Sequence, residues 1–156
     1  DVWRVHPHKV FMRRMTSHVK QKTIPLIELA RRHNMIIVHC PHEFPKGIAD
    51  GCTPLPGERV IHTGTELHKY LGECGVKTLL YAGYAVNMCI LNRPEGIPNM
   101  KPLGYNIILL QDCTIAKETP ESLEGELKYH EAISKIETNW GSTSTLDDLK
   151  AALEEV

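Results

Sequence analysis

The stretch KTLLYAGYAVNMCILNRPEG, Lys77 to Gly96, decides how the rest of the chain is read. Lys77–Ala82 is a short apolar run of the kind that forms a buried strand in a parallel sheet, and Gly83 to Cys89 reads as the turn from that strand into a helix. Gly83 suits the sharp exit, because a residue without Cβ has free access to positive φ. Cys89 stands where the helix opens. Pro94 would remove a backbone hydrogen bond from a continuing helix and clash with its preceding turn, at a cost of about 3 kcal/mol, so the helix is expected to break or kink there.

Outward from this stretch, further apolar segments alternate with stretches of helical period. Met35–Cys40, Arg59–His62 and Tyr105–Leu110 read as strands. Ile24–His33 carries Leu26, Leu29 and Ala30 at helical spacing, with Asn34 placed to stop it, and Glu66–Cys74 presents Leu67, Tyr70, Leu71 and Cys74 on one face before Gly75. Thr119-Pro120-Glu121 reads as the start of a helix whose apolar stripe runs through Leu123, Leu127, His130, Ile133 and Ile136. Thr145 to Asp148 has the spacing of a capping box. This alternation predicts an α/β fold of three layers, α/β/α, with a mostly parallel sheet.

The 156 residues suit a single domain spanning 1–156. No apolar run approaches the roughly 20 residues of a membrane span, and no signal-peptide pattern of a charged segment followed by an apolar one is visible in the first residues. The net charge of -1 conceals an asymmetry: residues 1–33 carry eight Lys/Arg against two Asp/Glu, and residues 114–156 carry four against ten. The basic residues lie on a helical pattern without interleaved aromatics, which argues against nucleic acid as a partner. Five cysteines, at 40, 52, 74, 89 and 113, show no metal-ribbon spacing and read as reduced thiols of a cytoplasmic protein. Neither a dinucleotide-binding glycine fingerprint nor a P-loop is present.

In a parallel sheet ligands bind beyond the carboxyl ends of the strands. That singles out His39, Cys40 and His42; His62; Gly83 to Cys89; and Gln111 to Thr114. Two readings of Cys89 stand side by side. It is a thiol activated at a helix N-terminus, with nearby N–H groups facing a developing oxyanion, or it is a small buried hydrophobe, the common fate of a free cysteine. Residues 42–57, with three prolines and three glycines, read as a loop bordering the site.

The segment YAGYAVNMCIL resembles the glycine-to-cysteine turn of the isochorismatase-like cysteine hydrolases, a superfamily that also holds nicotinamidases and N-carbamoylsarcosine amidohydrolases. GYNIILLQDCT, Gly104 to Thr114, is similar to the next strand of that family, and IPLIELARRHNMIIVHCPHE, Ile24 to Glu43, to its first helix and second strand. DVW at Asp1–Trp3 resembles the end of its first strand, which would be central in the sheet, so a strand is expected before Asp1. The resemblance implies an isochorismatase-like (Rossmann-like) fold and a hydrolase of amide-type C–N bonds acting through a thioester. It makes Cys89 the nucleophile and Asp1 the general base. It further implies a cis peptide between Tyr84 and Ala85, an oxyanion hole from the Ala85 and Cys89 N–H groups, substrate contacts from Tyr84 and Trp3, and a homo-oligomer acting on a small molecule without a cofactor.

The family's third catalytic residue is a lysine after the third strand. Here ERVIHTGTELHKYL, Glu58 to Leu71, places His62 at that position, and the segment after it is shortened. Lys69 falls within a helix, and Lys46 lies in the loop. Arg93, freed by the break at Pro94, is a candidate for a substrate carboxylate. His6, His8, His39 and His42 raise the question of a metal such as nicotinamidases hold, although the family's ligand spacing is not reproduced and no metal is expected. Two rival functions remain: a non-catalytic binding or assembly protein that has lost the lysine, and a thiol redox sensor pairing Cys89 with Cys40 or Cys113.

Overall fold

The computed structural model describes residues 1–42 and 47–155; Lys46 lies outside them. Helix α1 (Lys9–His18) runs through a π-helical turn at Val19–Thr23 into α2 (Ile24–Arg32). Phe11, Met15, Val19, Ile27 and Ala30 form the buried stripe of this long element. Arg13, Lys20 and Arg32 are exposed, whereas Arg14, Lys22 and Arg31 pair with Glu126, Asp112 and Glu58, so the basic excess is divided between a solvated face and ion pairs. Asn34 ends the run with φ at +52°.

The remaining elements alternate as expected. Strand β1 (Val38–His39) pairs in parallel with β2 (Arg59–Val60), followed by α3 (Gly64–Glu73), whose N-cap Thr63 accepts the Glu66 N–H at 3.2 Å. Strand β3 (Thr78–Tyr81) leads to two short helices, α4 (Cys89–Asn92) and α5 (Ile97–Met100). Strand β4 (Asn106–Leu110), α6 (Leu127–Asn139), β5 (Ser142–Ser144) and α7 (Leu146–Glu154) complete the chain. All the strand pairings are parallel, with Leu80 opposite Ile108 and Leu109 opposite Thr143.

Four features differ from the sequence expectations. The sheet is in two pieces, β1–β2 and β3–β4–β5, rather than one. β1 and β2 hold only two residues each, β1 half-buried and β2 exposed. The polar strand β5 has no apolar alternation to announce it; it forms because β4 offers a free edge. The helix expected from Thr119 begins instead at Leu127. There Glu126 takes a left-handed φ of +47°, and the buried Glu118 carboxylate accepts the Lys128 and Tyr129 N–H groups at 3.1 and 2.9 Å, capping α6 from outside it. The capping box at Thr145 and Asp148 is present as predicted.

Two apolar clusters flank the strands. One joins α3, α5 and α6 to Ile107 and Leu109 of β4; the other joins α1 and α2 to Trp3, Ala49, Tyr84 and Ile115. Between β1 and β3 runs a cavity of about 460 Å³, lined by Ile36–His39 on one side and Thr78–Ala82 on the other. Asp1 stands at the carboxyl end of this space.

Candidate active site

Cys89 reaches the cavity because three local features fold the chain beneath it. Gly83 has φ at +104°, and a Cβ there would lie 3.0 Å from the Asp1 carbonyl oxygen, so the strand exit and Asp1 approach each other only over a glycine. The Tyr84 N–H donates to that same carbonyl at 2.8 Å. The Tyr84–Ala85 peptide is cis, as the resemblance implies. The Ala85 carbonyl then accepts the Met88 and Ile90 N–H groups at 3.0 and 3.3 Å, wrapping the turn around Cys89.

Neighbouring chain fixes the turn in place. Gly83 and Val86 donate to Cys113 and Ile115, each at 3.0 Å, and Asn87 exchanges two hydrogen bonds with the Lys117 backbone at 2.9 and 3.2 Å. This role of Asn87 has no signature in the sequence, since its partner is 30 residues away. Asp112, at the exit of β4, accepts from Lys22 Nζ at 2.6 Å and from the Leu146 N–H at 2.8 Å, pinning α7 to the same end of the sheet.

Helix α4 is a single turn and ends at Asn92, and Arg93 is extended, with φ at -80° and ψ at 158°, as the proline after it requires. So short a helix aligns few peptide dipoles, and the charges around Cys89 therefore come from side chains. Arg93 turns inward. Its Nη1 donates to Asp1 Oδ1 at 3.1 Å and to the Cys40 carbonyl at 3.3 Å, and its Nη2 lies 2.5 Å from Glu95 Oε1. The Asp1 side chain is fully buried, Glu95 is 4% exposed and Arg93 is largely enclosed. The His42 backbone N–H also donates to Asp1 Oδ1, whereas Asp1 Oδ2 is buried without a hydrogen bond among the described residues. Asp1, Cys40, Cys89, Arg93 and Glu95 all line the cavity.

The other expected site residues lie elsewhere. His62 is exposed beyond β2 and is not in the cavity wall; the structure does not bring it to Cys89. Tyr84 is fully buried in the second cluster, where its hydroxyl meets His18 Nδ1 at 2.6 Å and Thr23 Oγ1 at 2.8 Å. Trp3 is buried in the same cluster, bridged to Ile48, and neither ring lines the cavity. Ala85 is buried beneath the turn; its N–H and that of Cys89 have no acceptor among the described residues.

Burial, reinforced by the Glu95 charge, pushes the Cys40 thiol up to about 11, and burial pushes Cys52 to about 11 and Cys113 to about 12. These three are held as thiols. All five cysteines are free in the structure, with Cys89 partly exposed and Cys74 exposed. His39 is engaged by Glu58 at 2.7 Å, and Glu58 also receives the Arg31 guanidinium at 2.7 and 3.1 Å. Among the described residues no three His, Cys, Asp or Glu side chains converge on a point that would hold a metal ion. Likewise among the described residues, no helix is long and apolar enough to cross a membrane.

None of the curated proteins matches the sequence at a significant level. Among solved structures, the fold is similar to a cysteine hydrolase from Pseudomonas syringae pv. phaseolicola, with a TM-score of 0.72 at 15% identity over 90% of this chain and 82% of that one. It is also similar to an isochorismatase from Pseudomonas putida, with a TM-score of 0.68 at 18% identity over 83% and 76% of the two chains. An isochorismatase family protein from Desulfovibrio vulgaris gives a TM-score of 0.63 at 19% identity over 88% and 85%. A model of the isochorismatase domain matches residues 10–133, and the chain therefore belongs to the isochorismatase family of hydrolases.

Proposed function

We propose that this chain hydrolyses an amide-type C–N bond of a small molecule, with Cys89 as nucleophile, Asp1 as the proton acceptor and Arg93 as the cation that family members supply with a lysine. The observation that carries this reading is Asp1 Oδ2. It is a buried carboxylate oxygen without a hydrogen bond among the described residues, in the wall of the cavity that also holds the Cys89 thiol, while its twin Oδ1 is fixed by Arg93 and the His42 N–H. A carboxylate anchored through one oxygen presents the other in a defined direction.

In this scheme Asp1 Oδ2 takes the Sγ proton as sulfur bonds to the carbonyl carbon. The oxyanion that forms is received by the Ala85 and Cys89 N–H groups. The proton then passes to the departing nitrogen as the C–N bond breaks, leaving a thioester and a free amine. Water attacks the thioester, its proton returns to Asp1 and then to sulfur, and the acid leaves. Arg93 holds Asp1 through Oδ1 and offsets negative charge as it builds on sulfur.

The test is a panel of small primary amides and p-nitroanilides, with amine release and intact protein mass followed together. The reading expects turnover of at least one member and an acyl adduct confined to Cys89. Amine release that persists unchanged in Cys89→Ala would refute it.

A further inference from the structure

Glu95 takes no part in the proton transfers assigned to Asp1, yet it is a second buried acid in the wall of the cavity that holds Cys89. It is 4% exposed, it lines the cavity, and neither of its carboxylate oxygens takes a hydrogen bond among the described residues. Arg93 Nη2 approaches Oε1 at 2.5 Å in an ion pair that balances charge, and Oε2 is left without a donor among the described residues. A buried acceptor left open is costly, and such groups are ordinarily met by a donor.

The position of Glu95 is built rather than incidental. The Tyr81 hydroxyl donates to its backbone carbonyl at 2.8 Å. A Cβ at Gly96 would lie 2.7 Å from the Ile90 carbonyl oxygen and 2.9 Å from that of Arg93, so residues 95 and 96 fold tightly against the Cys89 turn. Arg93, expected from the sequence to receive a substrate carboxylate, is flanked by Asp1 on one side and Glu95 on the other. The guanidinium is therefore already engaged by both acids and is not free to receive a third carboxylate. A carboxylate entering the cavity meets the Glu95 carboxylate and no free guanidinium, whereas a group rich in N–H finds an open acceptor in Oε2.

We infer that Glu95 is a specificity-determining residue that accepts hydrogen bonds from an N–H-bearing group of the substrate, so that the site selects neutral or cationic carbonyl compounds, such as primary amides, ureas and their ammonium-bearing relatives, over carboxylates of the same shape. The inference rests on Cys89 being the reacting atom but not on turnover. An N–H₂ group held by Glu95 presents the adjoining carbonyl carbon to the sulfur, which links recognition to attack.

The experiment compares two alkylating agents of nearly one shape, iodoacetamide, which carries an N–H₂ donor, and iodoacetate, which carries a charge. Their rates are read at each cysteine of the full chain by peptide mass spectrometry, with exposed Cys74 as the internal reference. The amide-to-acid rate ratio at Cys89 should exceed that at Cys74 by about tenfold or more, since one well-placed charge contact amounts to about that factor. In Glu95→Gln the excess should fall to within about threefold of the reference, and Glu95→Asp should retain part of it. Equal ratios at Cys89 and Cys74 in the native chain overturn the inference, whether or not the variants fold, and so does faster reaction of Cys89 with iodoacetate. A site that selects iodoacetamide but turns over no amide would sink the hydrolase reading and leave this one standing.

Discussion

The two sides of the cavity are held in different ways. On the β3 side, Cys89, Arg93 and Glu95 arrive close together in the chain, on a turn laid over a strand whose neighbour β4 buries Ile107, Leu109 and Leu110. On the β1 side, Asp1, Cys40 and His42 come from separate parts of the chain, beside a two-residue strand whose anchors are polar: Arg31 and His39 both on Glu58. The difference teaches where the site is rigid by packing and where it is rigid by charge. Apolar burial holds the nucleophile; ion pairs hold the base and the wall opposite it.

Removing the nucleophile is the largest break. Cys89→Ala should lower amide hydrolysis by about 10³-fold or more with an unchanged melting transition, as followed by amine release and circular dichroism. Next comes the packing of the β3 side. Leu109→Ala, at a fully buried position, should lower stability by about 3 kcal/mol in urea unfolding. A loss below about 1 kcal/mol would show that β4 is not the centre of that core.

The β1 side should respond to charge instead, and by less. Glu58→Gln should lower stability by about 1–2 kcal/mol at neutral pH, as expected for hydrogen bonds to a charged group. The Arg31 guanidinium, with the Leu55 N–H and His39, holds the Glu58 carboxyl down to about 2. A folded-state value below the ordinary one means that its contribution is complete above about pH 4.5 and is lost as pH falls towards about 2. Urea midpoints measured across that window should therefore fall more steeply in the native chain than in Glu58→Gln. The smallest effect is expected at His62, exposed and away from the cavity: His62→Ala should change stability by less than about 0.5 kcal/mol and leave the alkylation rate of Cys89 unaltered.

The same contrast explains what the sequence could show. Lys77–Gly96 was legible because strand, glycine exit, cysteine and proline break are local, each set by its neighbours' backbone preferences. The alternation of elements and the cap at Thr145 were legible for the same reason. Arg93 reads in the sequence as a candidate for a substrate carboxylate because Asp1, 92 residues away, meets it only after folding. His62 stood at the expected place along the chain, but β2 is short and exposed and leaves it outside the cavity. Tyr84 is next to the turn in sequence, yet its ring and hydroxyl face His18 and Thr23 from the long N-terminal helix. The later start of α6 turned on Glu118, which lies well before Glu126 in the chain, a capping contact that helical periodicity does not encode.

The pairing of Asp1 with Arg93 around Cys89 is the central claim, and the rate of Cys89 alkylation by iodoacetamide between pH 5 and 9 (about four units spanning the usual thiol range) tests it most directly. It is measured in the native chain, Asp1→Asn and Arg93→Gln, with Cys74 as reference. The account predicts that Cys89 outpaces Cys74 near neutral pH in the native chain, that both variants slow Cys89, and that Arg93→Lys restores part of the loss. A Cys89 profile that matches Cys74 in all the proteins would contradict it.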